Sequence, residues 1–187
     1  SMRRLTAEEL RDSILSMTGR LRLDQYGEPV YPPLPKEVLE TQSRPGDGWP
    51  IQTEEQTSRR SIYIHVKRSL SLPLLSDHDQ AASDSSCAVR FTSTVPTQAL
   101  GMLNSSFMAE QAKHFAIRLQ KDCGDSPSAQ IERGLHLVFQ RPPTQSEKQR
   151  CEQLVEDLQS KQNLSRTHAL QRFALLALNL NEFLYLD

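Results

Sequence analysis

The residues best suited to bind a metal ion stand close together in one polar loop. Asp77, His78 and Asp79 are consecutive, and Asp84 and Cys87 follow soon after them. Carboxylates and an imidazole in one loop can bind Ca²⁺ or a transition metal. However, no Gly stands where an EF-hand needs its sharp turn, and no second His follows at ligand spacing. The pattern therefore favours a solvated turn over a metal site, and we predict none.

A basic strand is the second group that could bind a ligand. In the stretch RRSIYIHVKRSL, residues 59–70, the β-branched residues Ile62, Ile64 and Val66 alternate with polar ones. The polar face and the arginines that flank it comprise Arg59, Arg60, Tyr63, His65, Lys67 and Arg68. Such a face can stack a base, hold phosphates, or bind an anionic sugar or a carboxylate. One face of an antiparallel strand is normally solvated and charged, so we expect contacts with its own domain instead.

The sequence predicts no catalytic residue. Cys87 would need a basic partner and a lowered pKa to act as a nucleophile, and the sequence shows neither. The chain has no G-x-S-x-G elbow, P-loop or G-x-G-x-x-G fingerprint. Glu8 and Glu9 are adjacent, so on a helix they project in different directions and cannot form an acid/base pair.

The candidate residues are positioned by four predicted segments of one mainly α domain, residues 1–187. Residues 3–20 form a helix, opened by a capping box at Thr6 and Glu9. Residues 21–58 are rich in Pro and Gly and form a wrapping segment without helix or central strand. Residues 59–94 form an antiparallel β-hairpin around the Asp-rich loop, and residues 95–187 form a helical bundle. The apolar last helix should lie at its centre.

Composition excludes several classes of protein. The 187 residues include 22 basic and 23 acidic ones, for a net charge of −1, which argues against a basic nucleic-acid footprint. Three cysteines argue against a disulfide scaffold, and no C-x-x-C-H attaches a haem. No apolar run reaches the length of a membrane span. The start, Ser1-Met2, is typical of a trimmed expression remnant, so we expect a piece of a longer protein.

Several motifs, taken in their order along the chain, carry a family resemblance. They are RRLTAEELRDSIL, VYPPLPKEVL, RRSIYIHVKRSL, SSCAVRFTSTVPTQALGMLNSSFMAEQA, QRPPT and ALNLNEFLYLD. From Arg3 to Asp187 the chain resembles the planctomycete-specific PSD-type domain of unknown function. The resemblance places recurrent polar positions at Arg60, Tyr63, Arg68, Asp79, Cys87, Arg90, Thr94, Gln98, Asn104 and Gln111. The chain departs from the family pattern at His78 and Ala82, which weakens a carboxylate metal site.

The resemblance implies an exported bacterial parent, periplasmic or on the cell surface, that carries c-type cytochrome modules. Any haem would lie in an upstream domain, with no cofactor in this chain, and unpaired cysteines should be buried. We expect a non-catalytic accessory domain whose partners are other domains of its parent chain, with polysaccharide as a further candidate. The candidate ligand or partner surface comprises Arg60, Tyr63, His65, Arg68, Asp79 and Arg90.

Two alternatives stay open. One is a polysaccharide-active or redox enzyme with His78, Asp79 and Arg90 near its site. The weaker one is nucleic-acid binding through the basic strand, which predicts affinity that falls steeply with salt.

Overall fold

The structure is a computed structural model that describes residues 3–83 and 86–186. It is 54% helical, with ten helices and a two-stranded antiparallel sheet in the described part of the chain. The predicted mainly α class with a small antiparallel element is therefore confirmed. No helix among the described residues is long and apolar enough to cross a membrane.

The elements follow one another in a simple order. The strands are β1 (Arg3–Arg4) and β2 (Tyr185–Leu186), and they pair with each other. The helices are α1 (Ala7–Met17), α2 (Lys36–Leu39), α3 (Glu54–Thr57), α4 (Pro73–Asp77), α5 (Pro96–Asn104), α6 (Ser106–Cys123), α7 (Pro127–Phe139), α8 (Gln145–Ser160), α9 (Arg166–Ala177) and α10 (Asn181–Leu184). A 3₁₀ turn spans Ser61–Tyr63. The wrapping segment, residues 21–58, thus contains two short helices that the sequence did not predict.

The hairpin predicted within residues 59–94 was placed wrongly. The described residues of this region contain no strand, but only the 3₁₀ turn and isolated bridges. Residues 59 and 64 bridge in parallel to Arg22 and Val30, so this stretch pairs with the wrapping segment and not with a second strand of the predicted hairpin. Residues 90 and 93 are instead held by side chains of other elements, as described below.

Side-chain caps begin the helices where the sequence predicts them. The Thr6 amide donates to Glu9 Oε2 at 2.8 Å, and the Glu9 amide donates back to Thr6 Oγ1 at 3.4 Å. Thr144 caps α8 in the same way, and the Ser126 hydroxyl accepts from the Ala129 amide at the start of α7. These contacts satisfy amide groups that have no partner within the helix.

The chain divides into two compact units. The first contains Arg3, residues 17–19 and residues 107–186. Its helix α9 buries one face, with Ala169, Leu170, Phe173, Ala174 and Ala177. Phe173 of α9 is fully buried and lies so close to Gly134 that an added Cβ there would be 2.9 Å from its ring. The glycine therefore allows α7 to approach α9 closely.

The second unit contains residues 4–16 and 20–106, and it carries all six candidate surface residues. Its core includes Leu10 and Ile14 of α1 and a small cluster formed by Ala7, Val30, Ile64 and Leu75. Trp49 fastens the wrapping segment, because it is buried and its indole Nε1 donates to the Pro32 carbonyl at 2.9 Å.

Candidate interaction surface

A buried arginine fixes the backbone that leads into the basic stretch. Arg11 of α1 donates from Nη1 to the Arg59 carbonyl at 3.0 Å and to Ser61 Oγ at 3.2 Å, and from Nη2 to the Thr57 carbonyl. The neighbouring Asp12 accepts from both the Ser61 amide and the Ser61 hydroxyl at 2.7 Å. Burial lowers the pKa of Arg11 to about 10, although the charge of Asp12 opposes the shift. Helix α1 therefore sets the position of residues 57–61.

Arg59 and Tyr63 contact the wrapping segment. The guanidinium of Arg59 donates to the carbonyls of Asp24, Tyr26 and Glu28, and it lies 4.2 Å from the ring centroid of Tyr63. The Tyr63 hydroxyl in turn accepts from the Tyr26 amide at 3.3 Å. These contacts hold the turn at Tyr26, whose φ of 64° is unusual for a residue other than Gly.

The next two polar residues also lie against the wrapping segment. The ring of His65 is 5.0 Å from the ring of Tyr31 and 6.2 Å from that of Trp49, measured between centroids. Lys67 Nζ donates to the carbonyl of Asp47. The polar face of residues 59–67 thus contacts its own unit, as the sequence analysis expected.

Two arginines of the candidate surface remain in solvent. The side chain of Arg60 is 56% exposed, and its Nε lies 3.5 Å from Asp12 Oδ2. Arg68 is exposed in the tight turn that the Leu70 amide closes on the Lys67 carbonyl at 3.1 Å. Among the residues that the structure describes, no carboxylate lies within ion-pair distance of Arg68.

The β-branched face of the same stretch lines a groove. Ile62, Ile64 and Val66 form one wall of a cavity of about 700 Å³, and residues of α1 form another. Ile62 and Val66 are 75% and 55% exposed, whereas Ile64 is buried. A second cavity of about 240 Å³ adjoins the same stretch and shares Ile64, Val66 and Gln80 with the first. Ile62 and Val66 therefore face solvent beside the cavities, whereas Ile64 does not.

The carboxylate of Asp79 accepts hydrogen bonds from residues of its own unit. Arg4 Nη2 donates to Asp79 Oδ2 at 2.6 Å, and the Ser93 amide and hydroxyl donate to the same carboxylate at 2.8 Å. Burial, the largest single influence, raises the pKa of Asp79, but the hydrogen bonds from Ser93 and Arg4 hold it below its ordinary value. The carboxylate therefore stays ionised and fixes residue 93.

The other two metal candidates do not join Asp79 in a site. His78 is buried, its Nδ1 lies 2.9 Å from the Leu74 carbonyl, and burial lowers its pKa. Asp77 is exposed, and its carbonyl accepts from Gln98 Nε2 at 2.9 Å. No group of three or more possible ligands occurs in the described residues. Asp84 lies outside them.

Arg90 forms an ion pair that the sequence did not reveal. Its Nη1 and Nη2 donate to the two carboxylate oxygens of Glu8 at 2.9 and 2.8 Å. The hydrogen bonds from Arg90 hold the pKa of Glu8 below its ordinary value. Phe91, the next residue, is 86% exposed. Cys87 is exposed and Cys123 and Cys151 are only half-buried, so the expectation of buried cysteines was wrong.

Sequence reasoning missed Arg11 and Arg4, which organise this surface. Arg11 lies on the apolar stripe of α1 with Ala7 and Ile14, at a spacing of three to four residues. A charged residue at such a position needs buried partners, and that signal could have identified it. No comparable signal marks Arg4.

The fold and surface define a mainly helical domain with charged groups paired inside it and an open apolar groove. The chain belongs to the PSD1 family, described as a protein of unknown function (DUF1553), whose model matches residues 1–155. This confirms the predicted PSD-type family. No curated protein matches the chain. No solved structure matches it either.

Proposed function

We propose that this chain is a non-catalytic interaction domain that binds a polypeptide partner beside residues 60–68. One observation carries the proposal. The acidic and basic groups that could perform chemistry are paired within the unit, whereas Ile62 and Val66 are exposed along a cavity of about 700 Å³. Exposed apolar side chains beside a cavity are typical of a binding surface. The exposed Arg60 lines this cavity, and Arg68 is exposed two residues beyond Val66.

The state of the polar residues supports docking over the enzyme alternative. A general acid or base must reach a substrate, yet Asp79 is occupied by Arg4 and Ser93. The ring of His78 is buried and contacts a backbone carbonyl. Arg90 is paired with Glu8 through both of its terminal nitrogens. These three residues act as anchors of the loop that precedes α5.

The same reasoning weighs against nucleic acid. A phosphate backbone is bound by several cations in a row. In this stretch Arg59 donates to backbone carbonyls of the wrapping segment, Lys67 is half-buried and donates to another, and Arg60 and Arg68 are exposed. Two separated arginines suit the rim of a protein interface better.

The family resemblance supports the wider context of the proposal. The parent is an exported planctomycete protein linked to cytochrome modules, at the periplasm or cell surface, with any haem upstream of this chain. The partner is then another domain of the parent chain, and polysaccharide is the competing ligand. The chain itself uses no cofactor.

The melting temperature of the domain tests this proposal. A ligand that binds only the folded state raises it by mass action. We expect the other domains of the parent chain, produced separately, to raise it, and neutral or sulfated polysaccharides, oligonucleotides and divalent ions to leave it unchanged. Arg68→Glu should reduce the shift, and Arg150→Glu, at an exposed position of α8, should not. A shift with polysaccharide that is lost on Asp79→Asn would instead support the enzyme alternative.

A further inference from the structure

The stretch 64–66 has one free backbone edge. The Val30 amide donates to the Tyr63 carbonyl at 2.8 Å, and the His65 amide donates to the Val30 carbonyl at 2.9 Å. Successive residues of an extended chain direct their N–H and C=O groups to opposite edges. The carbonyl of Ile64 and the N–H and C=O of Val66 therefore face away from the wrapping segment. They make no hydrogen bond to any residue that the structure describes.

The two cavities border this free edge. Ile64, Val66 and Gln80 line both of them. Side chains of a strand project alternately to its two faces. A strand paired along residues 64–66 would therefore place alternate side chains towards different cavities.

The linings of the two cavities differ in chemistry. The larger one has aliphatic walls from Leu5, Leu21 and Ile62. Its carboxylates already have partners: Glu8 binds Arg90, Glu9 accepts from the Thr6 amide, and Asp12 accepts from Ser61. Polar residues such as Ser13, Arg60 and Gln80 also line this cavity, and its aliphatic walls can receive an apolar side chain of an occupant.

The smaller cavity is lined by aliphatic residues such as Leu70, Leu72 and Leu75 and by polar ones such as Ser71 and Ser76. Of its described lining residues, Lys67 alone carries a formal charge and none is a carboxylate. The ammonium group of Lys67 donates to the Asp47 carbonyl, which is uncharged, so this contact does not neutralise the positive charge. An acidic side chain of an occupant would complement it.

We propose that the free edge of residues 64–66 binds an extended segment of a protein partner by β-strand addition. The segment places an apolar side chain in the larger cavity and an acidic one at Lys67 in the smaller cavity. Backbone hydrogen bonds supply affinity in this mode, and the side-chain pockets supply specificity. The β-branched residues Ile64 and Val66, which follow the 3₁₀ turn, suit a strand that is completed by a partner. The inference rests on the proposed function and names its binding mode.

A library of short, end-blocked peptides with random sequence provides the probe. Peptides selected on the full chain should carry an acidic residue and a bulky apolar residue on opposite faces of the extended segment, an odd number of positions apart. Binding should slow hydrogen exchange at the Val66 amide by at least about tenfold, because that amide gains an acceptor. A selected peptide that leaves this exchange unchanged overturns the strand-addition mode.

Paired variants separate the backbone from the side chains. Val66→Pro removes an N–H that has no internal partner and should weaken binding by about tenfold, whereas Val66→Thr keeps the N–H and should bind within about threefold of the original chain. Lys67→Glu should reverse the selected charge from acidic to basic. Equal binding by the Pro and Thr variants contradicts the proposal, as does a charge preference that survives Lys67→Glu.

The outcomes distinguish this inference from the proposed function. Peptides or parent domains that bind and protect other amides, such as those beside Phe91, support an interaction domain but overturn the use of residues 64–66. Failure of all peptides and parent domains to bind overturns both. Selective binding of polysaccharide overturns the proposed function itself.

Discussion

Replacement of Arg11 by Met tests the central claim that α1 positions the interaction surface. The aliphatic stem of Met keeps most of the volume of Arg11, so the change removes chiefly the guanidinium group. That group is 2% exposed and donates to the Thr57 and Arg59 carbonyls and to Ser61 Oγ. Without it, these acceptors lose a charged donor in a buried place.

The expected loss follows from these contacts. A hydrogen bond from a charged group contributes at least about 1.5 kcal/mol, which gives about 4.5 kcal/mol for three. The burial that lowers the pKa of Arg11 to about 10 opposes this gain, because removal of the charge relieves its desolvation. We therefore expect the free energy of unfolding of the second unit to fall by about 3 kcal/mol.

Urea unfolding followed by tryptophan fluorescence measures this loss directly. Trp49 is the single tryptophan of the chain and lies in the unit that contains Arg11, so its signal reports on that unit. A loss of about 3 kcal/mol lowers the urea midpoint by about 1.5 M for a slope of about 2 kcal/mol/M. Arg150→Met, at an exposed site of α8, serves as control and should stay within about 0.5 kcal/mol of the original chain. A loss below about 1 kcal/mol for Arg11→Met would refute the claim that the contacts of Arg11 clamp residues 57–61 in place.

Three further predictions address other contacts. Asp79→Asn keeps a residue type that tolerates the φ of 64° at this position. It leaves Arg4, whose side chain is 6% exposed, without its carboxylate, so the free energy of unfolding measured in urea should fall by about 2 kcal/mol. An unchanged urea midpoint would contradict this prediction. Hydrogen bonds lower the pKa of Glu147 from 4.5 to about 2. The contribution of this carboxylate to stability is therefore complete above pH 4.5 and is lost as the pH falls towards 2. NMR titration of the carboxyl group should give the lowered pKa, and an ordinary pKa would count against the prediction. Gly134→Ala puts a Cβ 2.9 Å from Phe173 and should lower stability by about 1–2 kcal/mol, which a stabilised variant in thermal unfolding would disprove.

Helix positions were predictable because their signals are local. The capping box at Thr6 and Glu9 marks the start of α1, and Thr144 marks the start of α8. The apolar composition of the last long helix predicts that α9 contributes to the core, and one face of it is buried. Each signal involves residues within a few positions of one another.

The strands and the site depended on contacts between distant residues. The alternation at Ile62, Ile64 and Val66 predicts a strand, but Ile62 lies in the 3₁₀ turn Ser61–Tyr63 and only isolated bridges follow it. The pattern also cannot say which segment pairs with Ile64. Its neighbour is Val30, and residues 90 and 93 are held by Glu8 and Asp79. Ile64 and Val30 are 34 residues apart in the sequence, and Arg90 and Glu8 are 82 residues apart. Sequence pattern carries no information about pairing over such separations.

The clamp of Arg11 on residues 57–61 also bears on how the chain tolerates a break. Residues 40–46 are mostly exposed, and the amides of Thr41, Gln42 and Gly46 donate only to acceptors within four residues. A protease cut in this stretch would leave one piece bearing α1 and another bearing its buried acceptors, joined by the guanidinium contacts and the shared core. The nicked protein should therefore migrate as one species until it is denatured. The same stretch is a suitable place to insert a fluorescent or affinity tag without disturbing the groove.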